Sequence, residues 1–270
     1  MPQSSSAAAR GAASNIQDST IFRGIARGGY AVNGLLHILI GGIAISVATG
    51  GGGEADQGGA LSSLAANPGG VFVLWVVVIG LWALGLFQLT TAVLVRGTDK
   101  DAWAERAKEG GKGVAYIAVG STALTYALGG SSSSSGDTQS LSATLLASPG
   151  GVVLLLLVAA GVAAVGIYFI VKGAKKKFLE DITLPSGTAG RVTKRLGIFG
   201  YIAKGVAITV VGILFGVAAV TTDPSAATGL DGALKSLAEL PFGASILGVI
   251  AVGLIAYGIY CMVRARYARL

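Results

Sequence analysis

The chain repeats itself, and this limits its architecture more than any other feature. GKGVAYIAVG from residue 111 superimposes on AKGVAITVVG from 203, with Gly113 on Gly205 and Gly120 on Gly212. SPGG at 148 then falls on LPFG at 240, and Gly161 and Gly166 fall on Gly253 and Gly258, every pair 92 residues apart. An earlier copy has NGLLHILIGG at 33 with Gly34 and Gly41, then NPGG at 67, then Gly80 and Gly85. An offset held over so many positions marks a triplication, so the fold is one unit used three times.

Each unit reads as basic flank, apolar run, loop, short Leu-bearing stretch, Pro-Gly, second apolar run, basic flank. A bilayer core about 30 Å thick needs about 20 apolar residues of helix. Six segments qualify: about 29 to 48, 71 to 95, 113 to 129, 152 to 171, 198 to 220 and 244 to 263. The third, GVAYIAVGSTALTYALG, is the shortest and most polar. Composition agrees, with 53% hydrophobic and 12% charged residues, where soluble domains carry roughly 25% charged. The expected fold class is therefore an all-α integral membrane protein with six transmembrane helices. Residues 1–22, Ser/Ala-rich, read as a flexible cytoplasmic tail, followed by repeats over 23–98, 99–178 and 191–270. Because each unit crosses out and back, the repeats share one orientation, which predicts pseudo-threefold symmetry about the membrane normal and excludes inverted repeats.

The net charge of +7 first suggests nucleic acid, but the basic residues sit between apolar segments and form no patch. Eighteen of 20 fall on one side of the expected bilayer, the exceptions being Lys204 and Lys235. The loops 49 to 70 and 130 to 151 hold only Glu54, Asp56 and Asp137 as charges. The positive-inside rule makes the basic side, and both termini, cytoplasmic. The expected location is the bacterial inner membrane. Nucleic acid is excluded as a partner, while membrane lipid is expected, other membrane proteins are candidates, and KGAKKKF is placed to touch anionic lipid.

Glycine supplies 43 residues. Two glycines seven apart in each first span share a helix face and open a groove for a neighbouring backbone, while glycines five apart in each second span point about 140° apart. A second span thus has two smooth sides for two neighbours. The loop stretches LSSLAANPGG, LSATLLASPGG and LDGALKSLAELPFG carry Leu at helical spacings. They read as short amphipathic helices lying at the outer interface, each ended by proline.

These motifs carry a resemblance. GYIAKGVAITVVGILFGVA, followed by GLDGALKSLAELPFGASILGVIAVGLIAYGIYCMVRARYARL, resembles the bacterial membrane family known as "domain of unknown function 1206", built from repeated two-helix units. The pattern covers nearly the whole chain after the tail. The first copy departs from it with Asn33 at a basic position, and the second reads TQSLSATL where the family has D-x-G-A-L. The resemblance implies fold and membrane location, and no activity comes with it.

The apolar spans contain no Asp or Glu, which argues against proton-coupled carriers and intramembrane metal enzymes. His37, the one histidine, cannot assemble a metal site alone, and no cofactor is expected. Its counterparts in the other copies are Tyr116 and Ile208. His37 reads first as a neutral ring hydrogen-bonded to Asn33 or a neighbouring helix, and alternatively as a proton-sensitive group facing the axis. Cys261 reads as a packing residue, and Tyr257 and Tyr260 as packing or interface anchors. The residue before the first repeat glycine is Asn33, Lys112 and Lys204 in turn. Around a threefold axis these three converge, with His37 and Tyr116 beside them, either as anchors snorkelling to the headgroups or as a site for an anion or lipid headgroup.

Two readings stay open. One is a non-catalytic structural or accessory membrane component held by small-residue packing. The other is a transporter, channel or lipid-binding protein using the axis, and a water-accessible cavity at those residues separates the two. An enzyme is not expected, because no nucleophile, base and orienting group fall together.

Overall fold

A computed structural model describes residues 19–269, so the expected tail lies, up to residue 18, outside the described residues. Within them the α-helices are α1 (Thr20–Ala48), α2 (Gln57–Ala65), α3 (Gly70–Leu94), α4 (Lys100–Ala127), α5 (Ser134–Leu146), α6 (Gly151–Ala174), α7 (Gly187–Thr221), α8 (Gly229–Ala238) and α9 (Gly243–Tyr267). A 3-10 turn, Lys177–Asp181, follows α6, and another, Pro224–Ala226, follows α7. Each repeat thus contributes a long helix, a short one and a second long one.

The first long helix of every repeat extends further into its basic flank than hydropathy predicts: α1 starts at Thr20, α4 at Lys100 and α7 at Gly187. Hydropathy registers only the hydrocarbon-length stretch, whereas the Ala, Lys, Arg and Glu of the flanks favour helix with or without lipid. Five helices, α1, α3, α6, α7 and α9, are long and apolar enough to cross a bilayer. The expected sixth, α4, falls short, because its first half carries charges up to Lys112 and only residues 113 to 127 are free of them.

The long helices form a ring of neighbours in the order α1, α3, α4, α6, α7, α9 and back to α1, with every joint packed except that between α4 and α6. The repeat glycines make the tightest joints. A Cβ on Gly34 of α1 would lie 2.5 Å from the carbonyl oxygen of Gly258 in α9. The same clash recurs at 3.0 Å from Gly85 of α3 to Gly113 of α4, and at 2.8 Å from Gly166 of α6 to Gly205 of α7. In each case the second span of one repeat meets the first span of the next, the third repeat meeting the first. The other predicted face of the second span joins its own repeat: a Cβ on Gly80 would lie 3.3 Å from Gly29 Cα, and one on Gly253 would strike Ala203. In the second repeat Gly161 meets nothing.

Two of the short helices bury their apolar face against the long ones. Ala60 and Leu61 of α2, and Ala233 and Leu234 of α8, are fully buried, and α2 and α8 join one apolar core with Leu36, Ile40, Leu74, Val77 and Leu247. Leucine spacing gives a helix an apolar face, and here that face packs against the long helices. α5 is different, with Ser142 its one buried residue. The three are tied in a circle: Ala55 N–H donates to Asp231 Oδ1 at 2.8 Å, Gly58 N–H to Ser134 Oγ at 3.2 Å, and Ser135 Oγ to the Thr228 carbonyl at 2.9 Å.

The Pro-Gly corner after each short helix is also shared. Gly69, Gly150 and Phe242 all take the left-handed conformation, at φ 77°, 75° and 61°, which costs a non-glycine residue about 1–2 kcal/mol. The glycine that follows, Gly70, Gly151 or Gly243, lies so close to a carbonyl of the preceding helix's last turn that no side chain fits.

Candidate functional site

Where α1, α4 and α7 approach the buried N-terminus of α2, they enclose a cavity of about 120 Å³. α1 supplies Asn33 and His37 on successive turns, α4 supplies Tyr116, α7 supplies Lys204 and α2 supplies Gln57. Four of the five residues singled out by the repeat alignment are therefore brought together. The fifth, Lys112, is held elsewhere: its Nζ pairs with Glu109 at 2.5 Å, and it lines a separate recess with Tyr30, Gln88, Asp181 and Arg264.

His37 Nδ1 lies 2.8 Å from the carbonyl oxygen of Asn33. A carbonyl only accepts, so Nδ1 carries a proton, and in a neutral ring Nε2 holds a lone pair. The ring packs on Tyr257 at 4.7 Å between centroids, and Asn33 Nδ2 donates to Cys261 Sγ at 3.5 Å. Both α1 side chains are thus fixed from α9. Lys204 stands midway along α7 and does not extend to a helix end. Its ammonium lies 4.3 Å from the ring centroid of Tyr257 and 5.2 Å from that of Phe169, and among the described residues it has no acidic partner. Ring faces attract a cation but leave its N–H groups without acceptors.

The acids nearest the inside of the ring are Asp56, just before α2, and Asp231, in the first turn of α8, and no apolar pattern in the sequence marks either as buried. Asp56 caps α2, accepting from Gly59 N–H at 2.9 Å through Oδ1, while Oδ2 is buried with no partner. Burial raises its pKa, and the nearby Asp231 adds to the shift. Asp231 pairs through Oδ2 with Lys235 at 2.7 Å. In the repeat, Asp231 opens the stretch Asp231-Gly232-Ala233-Leu234, which the second copy replaces with Gln139-Ser140-Leu141-Ser142, and this is the one sequence signal that could have found this role. Nothing in the sequence marks Phe169.

At the opposite, basic end, Asp181 takes Lys172 at 2.6 Å and Arg264 at 3.5 Å. Burial opposes its charge, yet Arg264 and Lys172 outweigh that and hold its carboxyl below the usual aspartate value. The backbone around it is stitched to the C-terminus, Thr183 N–H donating to the Tyr267 carbonyl at 2.8 Å. This cluster clamps the α6 to α7 connection onto the end of α9.

A bundle of apolar helices from three copies of one hairpin, joined on glycine and holding a small cavity with a few polar groups, defines a helical repeat protein of the membrane. A family model for "Domain of Unknown Function (DUF1206)" matches three stretches, residues 28–94, 109–176 and 199–268, and the chain belongs to this family. It is similar to a protein of Bacillus subtilis (strain 168) named "Uncharacterized protein YxxB", 30% identical over 244 residues and covering 88% of both chains. No solved structure matches it.

Proposed function

We propose that the protein binds or passes a small solute through the membrane at the cavity between α1, α4 and α7. The observation that carries this reading is the cavity itself: a space of about 120 Å³ walled largely by apolar side chains such as Leu36, Leu81 and Val119, to which Asn33, His37, Tyr116 and Lys204 bring polar groups. Packing alone has no use for a lysine without a counter-charge there, since an intramembrane charge is costly and is retained for a purpose. The alternative, a purely structural or accessory component, draws support from the glycine joints but leaves Lys204 without a role.

In this reading all six long helices cross the membrane, α4 with help from its charged flank, and the three repeats run in parallel about a pseudo-threefold axis. The cyclic glycine joints and the cyclic ties among short helices support that arrangement. The basic ends and both termini face the cytoplasm of a bacterial cell by the positive-inside rule. The role is non-catalytic, lipid is the surrounding partner, and other membrane proteins are candidate partners.

Purified protein in liposomes tests the function. Uptake of formate, nitrate, urea, glycerol and sodium ion is compared with empty liposomes and with liposomes holding Val119→Trp, which fills the cavity. At least one solute is expected to enter faster with the wild-type protein and to lose that advantage with Val119→Trp. Uptake no faster than in empty liposomes for every solute overturns the reading.

A further inference from the structure

We propose that the solute is a small monovalent anion of the size of chloride, nitrate or formate, held by the Lys204 ammonium. This rests on the cavity being a solute site and narrows what occupies it.

The charge inside selects the sign. Lys204 is the one ionised cation lining the cavity, no carboxylate lines it, and a metal or ammonium ion there meets repulsion. The donors suit an anion as well. Asn33 and Gln57 carry amide N–H₂ groups, Asn33 already giving one N–H to Cys261 Sγ, Tyr116 carries a hydroxyl, and the Lys204 ammonium rests on the ring faces of Tyr257 and Phe169, while His37 Nε2 adds the one acceptor. Charge-assisted hydrogen bonds to an anion replace the hydration that Lys204 gives up by lying half-buried against the rings of Tyr257 and Phe169. The rings hold the ammonium in place and do not neutralise it. The N-terminus of α2 adds little, because Asp56 already caps it.

Volume sets the size. The cavity of about 120 Å³ is small, so it favours an ion of a few heavy atoms over one of gluconate's length. The wide recess at the short-helix end is lined by Glu54 and Asp137 and repels anions, so an anion gathers at the basic end, where the field has its sign.

Two measurements on the purified full-length protein test the assignment. The first is thermal unfolding in a neutral detergent, titrated with sodium chloride, nitrate or formate against sodium gluconate at matched ionic strength. The small anions are expected to raise the midpoint saturably and gluconate to leave it unchanged. Lys204→Met is expected to weaken the apparent affinity about 10- to 100-fold, the range for removing a charged hydrogen-bond partner, while Lys204→Arg keeps a measurable response. An equal response to gluconate, or an unchanged response in a folded Lys204→Met, overturns the proposal. So does stabilisation by added phosphatidylglycerol alone, which assigns the site to a lipid phosphate. The second measurement is the liposome uptake above. Urea or glycerol entering while anions do not overturns the anion and leaves the solute site standing. Anion-dependent stabilisation without uptake leaves the anion site standing and removes transport.

Discussion

The second repeat and its two neighbours are built to one pattern and end in different states. In the first and third repeats the two long helices pack together, Gly80 against Gly29 and Gly253 against Ala203. Their short helices bury Leu61 and Leu234 in the shared core. In the second repeat α4 and α6 hardly touch, Gly161 faces open space, and α5 buries only Ser142. The cause is visible in the box after the loop. Where the third copy has Asp231, Gly232, Ala233 and Leu234, the second has Gln139, Ser140, Leu141 and Ser142, so its short helix presents a polar residue to the core. A repeat keeps its glycines after their neighbour has gone, because a glycine facing lipid costs little in a helix whose backbone bonds have no competing water.

The contrast can be broken most decisively at the glycines. Gly258→Leu drives a side chain into the α1 backbone at Gly34 and is expected to cost about 3 kcal/mol or more, read as a lower unfolding midpoint in detergent. Gly161→Leu has nothing to strike and is expected to leave the midpoint nearly unchanged; an equal loss would show that α4 and α6 do pack together.

Next in size is the buried acid of α8. Asp231→Ala leaves the buried Ala55 N–H without its acceptor and is expected to cost about 2 kcal/mol. Its counterpart Gln139→Ala loses an exposed bond to the Ser225 carbonyl and is expected to cost less than about 0.5 kcal/mol. The same denaturation series compares them, and similar losses would mean that the second short helix is as well seated as the third.

A pH titration sharpens the role of burial. The Asp56 pKa is raised in the folded protein, so the folded state holds the proton more tightly than the unfolded chain, and stability falls as pH rises through the raised value. Asp56→Asn keeps a competent helix cap and escapes that loss. It is expected to be more stable than wild type at neutral pH and to match it once pH drops below the ordinary aspartate value of 3.8. An advantage constant with pH would assign the gain to something other than the buried charge.

The smallest effect is at the corner. Phe242 is the one non-glycine at the left-handed position, and it is exposed. Phe242→Gly removes about 1–2 kcal/mol of backbone strain and returns part of it through a freer unfolded chain, for a net gain of about 0.5 kcal/mol by thermal unfolding.

Much of the architecture was legible because glycine at fixed offsets has few uses besides close helix contact. Gly34, Gly113 and Gly205, and their partners seven residues on, do receive the preceding repeat's second span. The direction in which the short helices turn was not legible, since the Leu230, Leu234 and Leu237 spacing defines a face and not what it faces. The cavity was legible in part. Asn33, Lys112 and Lys204 are equivalent in the repeat and not in space, because the residue one turn earlier differs. Tyr30 and Tyr201 precede Asn33 and Lys204, whereas Glu109 precedes Lys112 and captures it. Phe169 and Tyr257, which flank Lys204, come from helices that only the folded ring brings to it.

The slack joint has a mechanical consequence. Five joints of the ring rest on backbones pressed together at small residues, and none of these opens without parting such contacts. The split between α4 and α6 has no such contact to hold it. This side of the ring therefore has the least packing against opening, with Tyr116 on one lip and Lys204 beyond the other.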